Sequence, residues 1–270
     1  MPAPHPFDEA LILKPAADGM LRGHTHPAWA NMVGPFGGIT AATLLRAVEE
    51  HPERQGEPRA LTVNYLAPIA DGEFTIAARA VRTNRTNQHW QIELSQDGAP
   101  RTTATAVFGI PRATWSDTEL SAPTAPAAED VPTAEAPDGA VIWVGQYDMR
   151  FVEGAMPGPG AGSSPSSTTT LWVRDRRGRG IDHAGVTALC DIFYPRTFLR
   201  QGGPGPAGTV TITVYFHAGA GELADLGGDF VLATARGNRF TAGYFDQSAE
   251  LWSRSGNLLA TTHQLVYFKG

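Results

Sequence analysis

Hydrophobic and polar residues alternate along several segments of the chain, and this alternation predicts antiparallel strands with one buried face. The pattern is clearest in "QIELS" (91–95) and "TITVYF" (211–216). Two other segments are rich in small and apolar residues and predict helices: "GPFGGITAATLLRAVEE", which ends at Glu50, and "HAGVTALCDIFYPRTF", which begins at His183. Four predicted strands follow each helix. A further predicted strand precedes each helix, "ALILKP" in the first half and "TTTLWVRD" in the second.

The two halves therefore repeat the same order of elements. The turn signals "QDG" (96–98) and "RSGN" (254–257) fall at corresponding places in the two halves. A lone curved sheet around one helix leaves an edge unpaired, whereas two such sheets can join their edges. We therefore predict an α+β fold of two tandem units, each an antiparallel β-sheet wrapped around a central α-helix.

Changes of composition along the chain predict where the two units meet. The segment 116–139 is rich in Ala, Pro and acidic residues and lacks periodic apolar positions, which is typical of a linker. We expect the first unit to span 1–115 and the second to span 140–270.

Composition narrows the class of protein without naming a function. The chain has 270 residues, of which 42% are hydrophobic, and a net charge of −6, so nothing general attracts it to nucleic acid or to an anionic membrane surface. No apolar stretch approaches the length of a membrane span, and no secretory signal is evident at the start. The one cysteine, Cys190, rules out an internal disulfide, and the histidines show no metal-ligand spacing. We expect a cytoplasmic protein without a metal site.

Asp191 is the unusual residue of the second predicted helix. A carboxylate on a buried helix is costly unless it is paired, hydrogen-bonded or shifted in pKa. Alignment of Gly185 with Gly38 places Asp191 opposite Leu44, so the corresponding position of the first half is apolar. This contrast favours a site that one half alone carries. An exposed helix face, or a cap on a neighbouring backbone group, would also explain the aspartate.

The last predicted strand also differs between the halves. Alignment of "TTHQLVY" with "TTATAVF" puts Gln264 opposite Thr105 and His263 opposite Ala104. Neighbouring strand residues point to opposite faces, so one of His263 and Gln264 is expected to face outward.

The segments "PFGGITAATLL", "YLAPIADGE", "ALCDIFYP", "TVTITVYFH" and "ATTHQLVYF" together resemble the acyl-CoA thioesterase II type of double hot-dog protein, in order and over nearly the whole chain. In that family an Asp on the second central helix, a Thr on the next strand and a Gln near the C-terminus hold the hydrolytic water. Matched onto this sequence, the three residues are Asp191, Thr209 and Gln264, with Thr211 as a one-step alternative to Thr209. Two departures are Ile39, where the family often has Gln after two glycines, and the Gly/Pro-rich loop 202–208, which leaves the register at Thr209 open.

The resemblance implies hydrolysis of acyl-CoA to a free acid and coenzyme A, with a role in lipid metabolism and no cofactor other than the coenzyme A of the substrate. Asp191 would accept a proton from a water molecule that Thr209 and Gln264 orient. Backbone N–H groups at a glycine-led helix N-terminus can stabilise the oxyanion, and Gly38 and Gly185 are the candidates. Close helix–sheet packing would also explain both glycines.

Two other functions remain open on the sequence. A hydratase or dehydratase on the same fold would share the acyl-thioester pocket but generally needs a histidine beside the acid. A non-catalytic acyl-CoA-binding protein would use Asp191 only as a structural hydrogen-bond acceptor. The length and head group of the acyl chain are not readable, nor is the choice between coenzyme A and a carrier protein. Exposed sheet edges and the family pattern are compatible with a homo-oligomer.

Overall fold

The computed structural model describes residues 4–135, 139, 141–158 and 160–269. Within this part of the chain, twelve strands form one antiparallel sheet. They are β1 (Lys14–Pro15), β2 (Leu21–His24), β3 (Glu57–Tyr65), β4 (Glu73–Thr83), β5 (Asn87–Gln96), β6 (Ala99–Gly109), β7 (Tyr147–Glu153), β8 (Thr169–Asp175), β9 (Ala207–Phe216), β10 (Val231–Thr241), β11 (Tyr244–Ser253) and β12 (Leu258–Phe268).

Five α-helices accompany the sheet in the described residues. They are α1 (Pro6–Ala10), α2 (Gly37–Glu49), α3 (His183–Leu189), α4 (Thr197–Gln201) and α5 (Ala220–Leu226). Short 3₁₀ helices lie at Ala17–Gly19, Pro27–Trp29, Ala128–Asp130 and Ile142–Gln146. The helices α2 and α3 pack against each other, and their buried faces share one hydrophobic core with the inner face of the sheet. The predicted α+β arrangement of two sheet-and-helix units is confirmed.

The two halves of the chain join along the edges of their sheets. The strand order is β1-β2-β4-β5-β6-β3-β9-β12-β11-β10-β8-β7, so that the central pair, β3 and β9, unites the two halves. Thr62 and Thr213 face each other in this pair, with their hydroxyl oxygens 3.0 Å apart. Pairing at this place satisfies backbone groups that a single unit would leave open.

The internal repeat extends to individual hydrogen bonds. The N–H groups of Leu66 and Ala67 both donate to the carbonyl of Arg101, and those of His217 and Ala218 both donate to the carbonyl of Leu259. This correspondence aligns Tyr65, at the end of β3, with Phe216, at the end of β9.

The same correspondence corrects the alignment of the last strand by one residue. Leu61 pairs with Ala106 in the first half, and Ile212, its counterpart, pairs with Gln264 in the second. Gln264 therefore occupies the place of Ala106 and not of Thr105, and His263 occupies the place of Thr105. The alternation of buried and exposed residues agrees, because Ala106 and Gln264 both face the core.

The predicted linker packs on the outer face of the second half. Ala128 and Val131 lie in a small hydrophobic cluster with Trp172 of β8, and the indole N–H of Trp172 donates to the carbonyl of Pro126 at 2.8 Å. The boundaries of the two units, at 115 and 140, stay a prediction.

Two predicted elements differ from the structure. The segment "ALILKP" is not a strand over its length, because helix α1 ends at Ala10 and β1 begins only at Lys14. Helix α1 forms because the His5 ring accepts a hydrogen bond from the N–H of Phe7 and Pro6 stands at the first helical position. The strands β2 and β7 were not predicted.

The second central helix is also shorter than predicted, and Asp191 lies beyond it. Helix α3 ends at Leu189, and the N–H groups of Asp191 and Ile192 donate to the carbonyls of Ala188 and Leu189. Bonds of this spacing tighten the last turn and end the helix. Asp191 is therefore in the turn that follows the helix and not on the helix itself.

Candidate active site

The side chains of Asp191 and Gln264 are in contact on the inner face of the sheet. The Gln264 side-chain amide donates to Asp191 Oδ1 at 3.1 Å and to the carbonyl of Cys190 at 3.2 Å. Gln264 is buried on the inner face of β12, whereas its neighbour His263 is exposed on the outer face, 3.1 Å from Asp246. The prediction that one of His263 and Gln264 faces outward is confirmed, and Gln264 is the residue that faces the core.

A β-bulge on β9 brings Thr209 into the same group. Thr211 pairs with Leu265, but Thr209 pairs with Val266, because Val210 is the extra residue between them. Thr209 consequently shares the inner face with Gln264, and its hydroxyl donates to Gln264 Oε1 at 3.3 Å. Thr211 shares the outer face with Leu265, which is exposed. Thr209, Gln264 and Asp191 thus form a continuous hydrogen-bonded chain.

The N-terminus of α2, from the first half of the chain, faces Asp191. Its N-cap residue is Phe36, which has no side-chain acceptor for the first N–H groups of the helix. The N–H of Gly38 instead favours the ionised form of the nearby Asp191 carboxylate. A Cβ added to Gly37 would lie 2.6 Å from Asp191 Oδ2, so a larger residue at this position would displace the carboxylate. The Asp191 carboxylate therefore lies at the N-terminus of a helix that belongs to the other half.

The structure disfavours Gly185 as an oxyanion donor, because its N–H already makes a hydrogen bond. Asp182 is the N-cap of α3, and its Oδ1 accepts the Gly185 N–H at 2.7 Å. Asp182 is in turn paired with Arg179 and Arg46, at 2.7 and 3.1 Å. The N-terminus of α3 is thus closed by its own aspartate, and Gly38 remains as the candidate donor.

Close packing also requires glycine at position 38. A Cβ there would lie 2.7 Å from the carbonyl oxygen of Ala188. The two explanations for Gly38 therefore both apply, since the close approach of α2 and α3 is what brings its N–H to Asp191.

Tyr65 is a residue of this site that the sequence analysis did not single out. Its hydroxyl donates to the carbonyl of Gly37 at 2.8 Å, at the start of α2. Burial and the neighbouring charge of Asp191 raise the pKa of Tyr65 well above its ordinary value. The tyrosine stands at the end of β3, a place where an aromatic residue is expected for packing alone, so the pattern gave no signal of its contact.

The environment of Asp191 tunes its acidity. Burial raises the pKa of the carboxyl from 3.8 to about 7, although the hydrogen bond from Gln264 and the nearby Gly38 N–H act in the opposite direction. A carboxyl with this pKa exchanges protons readily near neutral pH. The adjacent Cys190 is a buried thiol whose pKa burial raises, and it contributes its carbonyl to the site.

The described residues also bear on two further properties, the binding of a metal ion and the crossing of a membrane. No group of three or more His, Cys, Asp and Glu residues is arranged to hold a metal ion in this part of the chain. None of the helices described has the length and hydropathy needed to cross a membrane.

Comparison with known structures identifies the fold. A hot-dog-fold protein of unknown function from Alicyclobacillus acidocaldarius is 46% identical, with 99% of each chain covered and a TM-score of 0.93. A protein described as a thioesterase II from Thermobifida fusca is 18% identical, with 98% of this chain and 97% of that chain covered and a TM-score of 0.81. An acyl-CoA thioesterase II from Mycobacterium marinum is 17% identical, covering 97% and 98%, with a TM-score of 0.75. The chain is therefore a double hot-dog protein, as predicted.

Matches to family models identify the protein family to which the chain belongs. Residues 25–109 match the acyl-CoA thioesterase N-terminal domain, and residues 123–268 match the acyl-CoA thioesterase C-terminal domain. No match was found among curated proteins. The chain belongs to the acyl-CoA thioesterase family and is a thioester hydrolase.

The raised pKa of Asp191 predicts a pH dependence of stability. The folded chain holds this proton more tightly than the unfolded chain, because the pKa is about 7 instead of 3.8. The contribution to stability is therefore complete below about pH 4 and is lost as the pH rises through about 7. We expect the free energy of unfolding of wild type, relative to Asp191→Asn, to fall by about 4 kcal/mol over this range.

Urea denaturation of both proteins at several pH values measures this difference, and the use of a difference cancels the other titrating groups. A difference that stays constant between about pH 4 and about pH 8 would contradict the assigned environment of Asp191.

Proposed function

We propose that the chain hydrolyses acyl-CoA thioesters to a free acid and coenzyme A, with Asp191 as the general base that activates a water molecule. The observation that carries the proposal is the position of Asp191, a carboxyl with a pKa of about 7 at the N-terminus of α2. A base of this pKa is ionised often enough near neutral pH to accept a proton and acidic enough to return it.

The hydrogen bonds of Thr209 and Gln264 define where the water would bind. Both amide hydrogens of Gln264 are used, on Asp191 and on the carbonyl of Cys190, and the Thr209 hydroxyl hydrogen is given to Gln264. Free acceptor positions remain on the Thr209 oxygen and on Gln264 Oε1. A water that donates one hydrogen to Asp191 and the other to this pair has its own lone pair free to attack the thioester carbonyl.

The reaction then proceeds in two balanced steps. The water oxygen adds to the carbonyl carbon while Asp191 takes one proton, and the carbonyl oxygen becomes an oxyanion. The carbon–sulfur bond then breaks, the electron pair leaves with sulfur, and Asp191 returns the proton to the coenzyme A thiolate. Coenzyme A enters as part of the substrate, and the proposed chemistry uses no other cofactor.

The N-terminus of α2 would stabilise negative charge throughout this sequence. The Gly38 N–H contacts ionised Asp191 before the reaction. When Asp191 becomes neutral, the negative charge moves to the oxyanion, and a helix N-terminus stabilises an anion at either place. We infer that the carbonyl oxygen of the substrate binds beside Gly38.

The alternative functions have less support from the site. The Asp191 carboxylate is hydrogen-bonded by Gln264 and lies near Gly38, and no histidine of the described residues hydrogen-bonds it. His183 is buried at the start of α3, where its Nε2 lies 3.2 Å from the carbonyl of Ala218. A hydratase or dehydratase that needs a histidine beside the acid is therefore disfavoured. A cytoplasmic location, a role in lipid metabolism and assembly into a homo-oligomer stay predictions.

Replacement of Asp191 by Asn removes the proposed base and keeps a similar shape. We expect turnover of acyl-CoA to fall by about 10²- to 10⁴-fold, measured as release of free thiol across acyl chains of different length. In wild type, kcat/KM should rise as the pH increases through about 7, because Asp191 must be ionised to act as the base.

The control for this variant is Asp225→Asn, which changes an exposed aspartate of α5 and should leave turnover at the wild-type level. Near-normal hydrolysis by Asp191→Asn would overturn the proposal. Tight binding of acyl-CoA by wild type without thiol release would instead support a binding protein.

The β-bulge on β9 supplies a matched pair of variants. Thr209→Val removes the hydroxyl on the inner face and should lower kcat about tenfold, the effect expected for one lost hydrogen bond in the transition state. Thr211→Val makes the same change on the outer face and should keep the wild-type kcat. Equal kcat values for the two variants would contradict the assignment of Thr209.

A further inference from the structure

One peptide group lies between Tyr65 and Asp191. The carbonyl of Gly37 accepts the Tyr65 hydroxyl at 2.8 Å, and Asp191 Oδ2 lies 2.6 Å from the position that a Cβ on Gly37 would take. The N–H of Gly38, which belongs to the same peptide group, favours the ionised form of the Asp191 carboxylate. The C=O and N–H of a trans peptide are coplanar and point in opposite directions. Tyr65 therefore hydrogen-bonds the carbonyl end of this peptide group, and Asp191 lies near its N–H end.

We propose that Tyr65 is a positioning residue for the general base and acts through the Gly37–Gly38 peptide. This proposal rests on the proposed hydrolysis. The tyrosine fixes the plane of the peptide, so that the Gly38 N–H is directed at Asp191. Its hydrogen bond also polarises the peptide, since hydrogen bonds in a chain strengthen one another. The Gly38 N–H thereby becomes a better donor to the carboxylate and, during the reaction, to the oxyanion.

The other half of the chain shows what this position does without the hydroxyl. Phe216 is the counterpart of Tyr65, and its ring packs edge-on against the ring of His183, with 5.6 Å between centroids. His183 is the first residue of α3, as Gly37 is the first residue of α2. Both aromatic residues thus touch the start of a central helix. The hydroxyl is present in the half whose helix faces Asp191 and absent in the half whose helix is capped by Asp182.

The geometry of α2 explains why a hydroxyl is needed here. Phe36 cannot cap the helix with its side chain, and glycine at 37 and 38 leaves the backbone with much conformational freedom. The bond from Tyr65 removes that freedom from the peptide group that meets the carboxylate. Because the Tyr65 hydroxyl gives its hydrogen to the Gly37 carbonyl, its effect on Asp191 is transmitted through the peptide.

Tyr65→Phe tests the proposal by removing one oxygen atom. We expect kcat for thiol release to fall about tenfold with KM little changed, as for one hydrogen bond that acts on the transition state. The kinetic pKa in kcat/KM should move upward from its wild-type value, because the Gly38 N–H then holds the carboxylate less well. Replacement of Tyr65 by 3-fluorotyrosine, whose more acidic phenol is a stronger donor, should move the same pKa downward.

Tyr194→Phe is the matched control, since its hydroxyl also donates to a glycine carbonyl, that of Gly154. It should change neither kcat nor the kinetic pKa. An equal loss of activity in both variants, or shifts of the kinetic pKa in the same direction for phenylalanine and fluorotyrosine at position 65, would overturn the positioning role.

The two proposals fail in different ways. If wild type releases no thiol from acyl-CoA, or Asp191→Asn retains turnover, the proposed hydrolysis is wrong. If wild type is active and Asp191→Asn is not, while Tyr65→Phe keeps the wild-type kcat and kinetic pKa, the hydrolysis stands and the role of Tyr65 is wrong. Thermal unfolding of each variant identifies a loss of kcat that comes from a loss of folded protein.

Discussion

The approach of the Asp191 carboxylate to the N-terminus of α2 is the contact on which the site depends. The N-terminus of α2 has N–H groups that lack an acceptor, and the Asp191 carboxylate is an acceptor. Helix α2 begins at Phe36 without a side-chain acceptor, and Asp191 is a half-buried acid that forms no salt bridge with the described residues. Burial favours the neutral acid, while the Gly38 N–H and Gln264 favour the ion, and the balance is a pKa of about 7. The close packing of α2 on α3, which glycine at position 38 permits, brings these two partners together.

This contact crosses between the halves of a duplicated fold, and the reciprocal contact is absent from the corresponding residues. The first half has Ala106 in place of Gln264, and Pro58 in place of Thr209 beside an equivalent β-bulge. Neither residue has a side-chain group able to orient water. The N-terminus of α3, for its part, is closed by Asp182, whose pairing with Arg179 keeps its pKa low. Duplication thus supplied two helix N-termini, of which one is capped locally and the other receives the acid of the opposite half.

Much of this arrangement was predictable from the sequence. Alternation and the internal repeat indicated the fold, and the place of an acid among apolar residues indicated Asp191. The register of Thr209 could not be predicted by pattern, because the bulge at Val210 shifts the alternation by one residue. A separate one-residue error, the match of "TTHQLVY" with "TTATAVF", placed Gln264 opposite Thr105 and not opposite Ala106.

The other differences have local causes. Asp182, three residues before Gly185, is an N-cap signal that could have excluded Gly185 as a free donor. Tyr65 could not have been found by pattern, because tyrosine and phenylalanine satisfy the same packing position at the end of the strand. Its contact depends on the depth at which α2 packs against β3, which is set by tertiary structure.

The most direct test of this account is the pKa of Asp191 itself, measured by ¹³C NMR of carboxyl-labelled aspartate in the folded protein, with Asp191→Asn to assign the resonance. We predict that the Asp191 carboxyl titrates at about 7. A value near the ordinary 3.8 would contradict it, because a fully acidic Asp191 would lack both the buried environment described here and the basicity that the proposed hydrolysis requires.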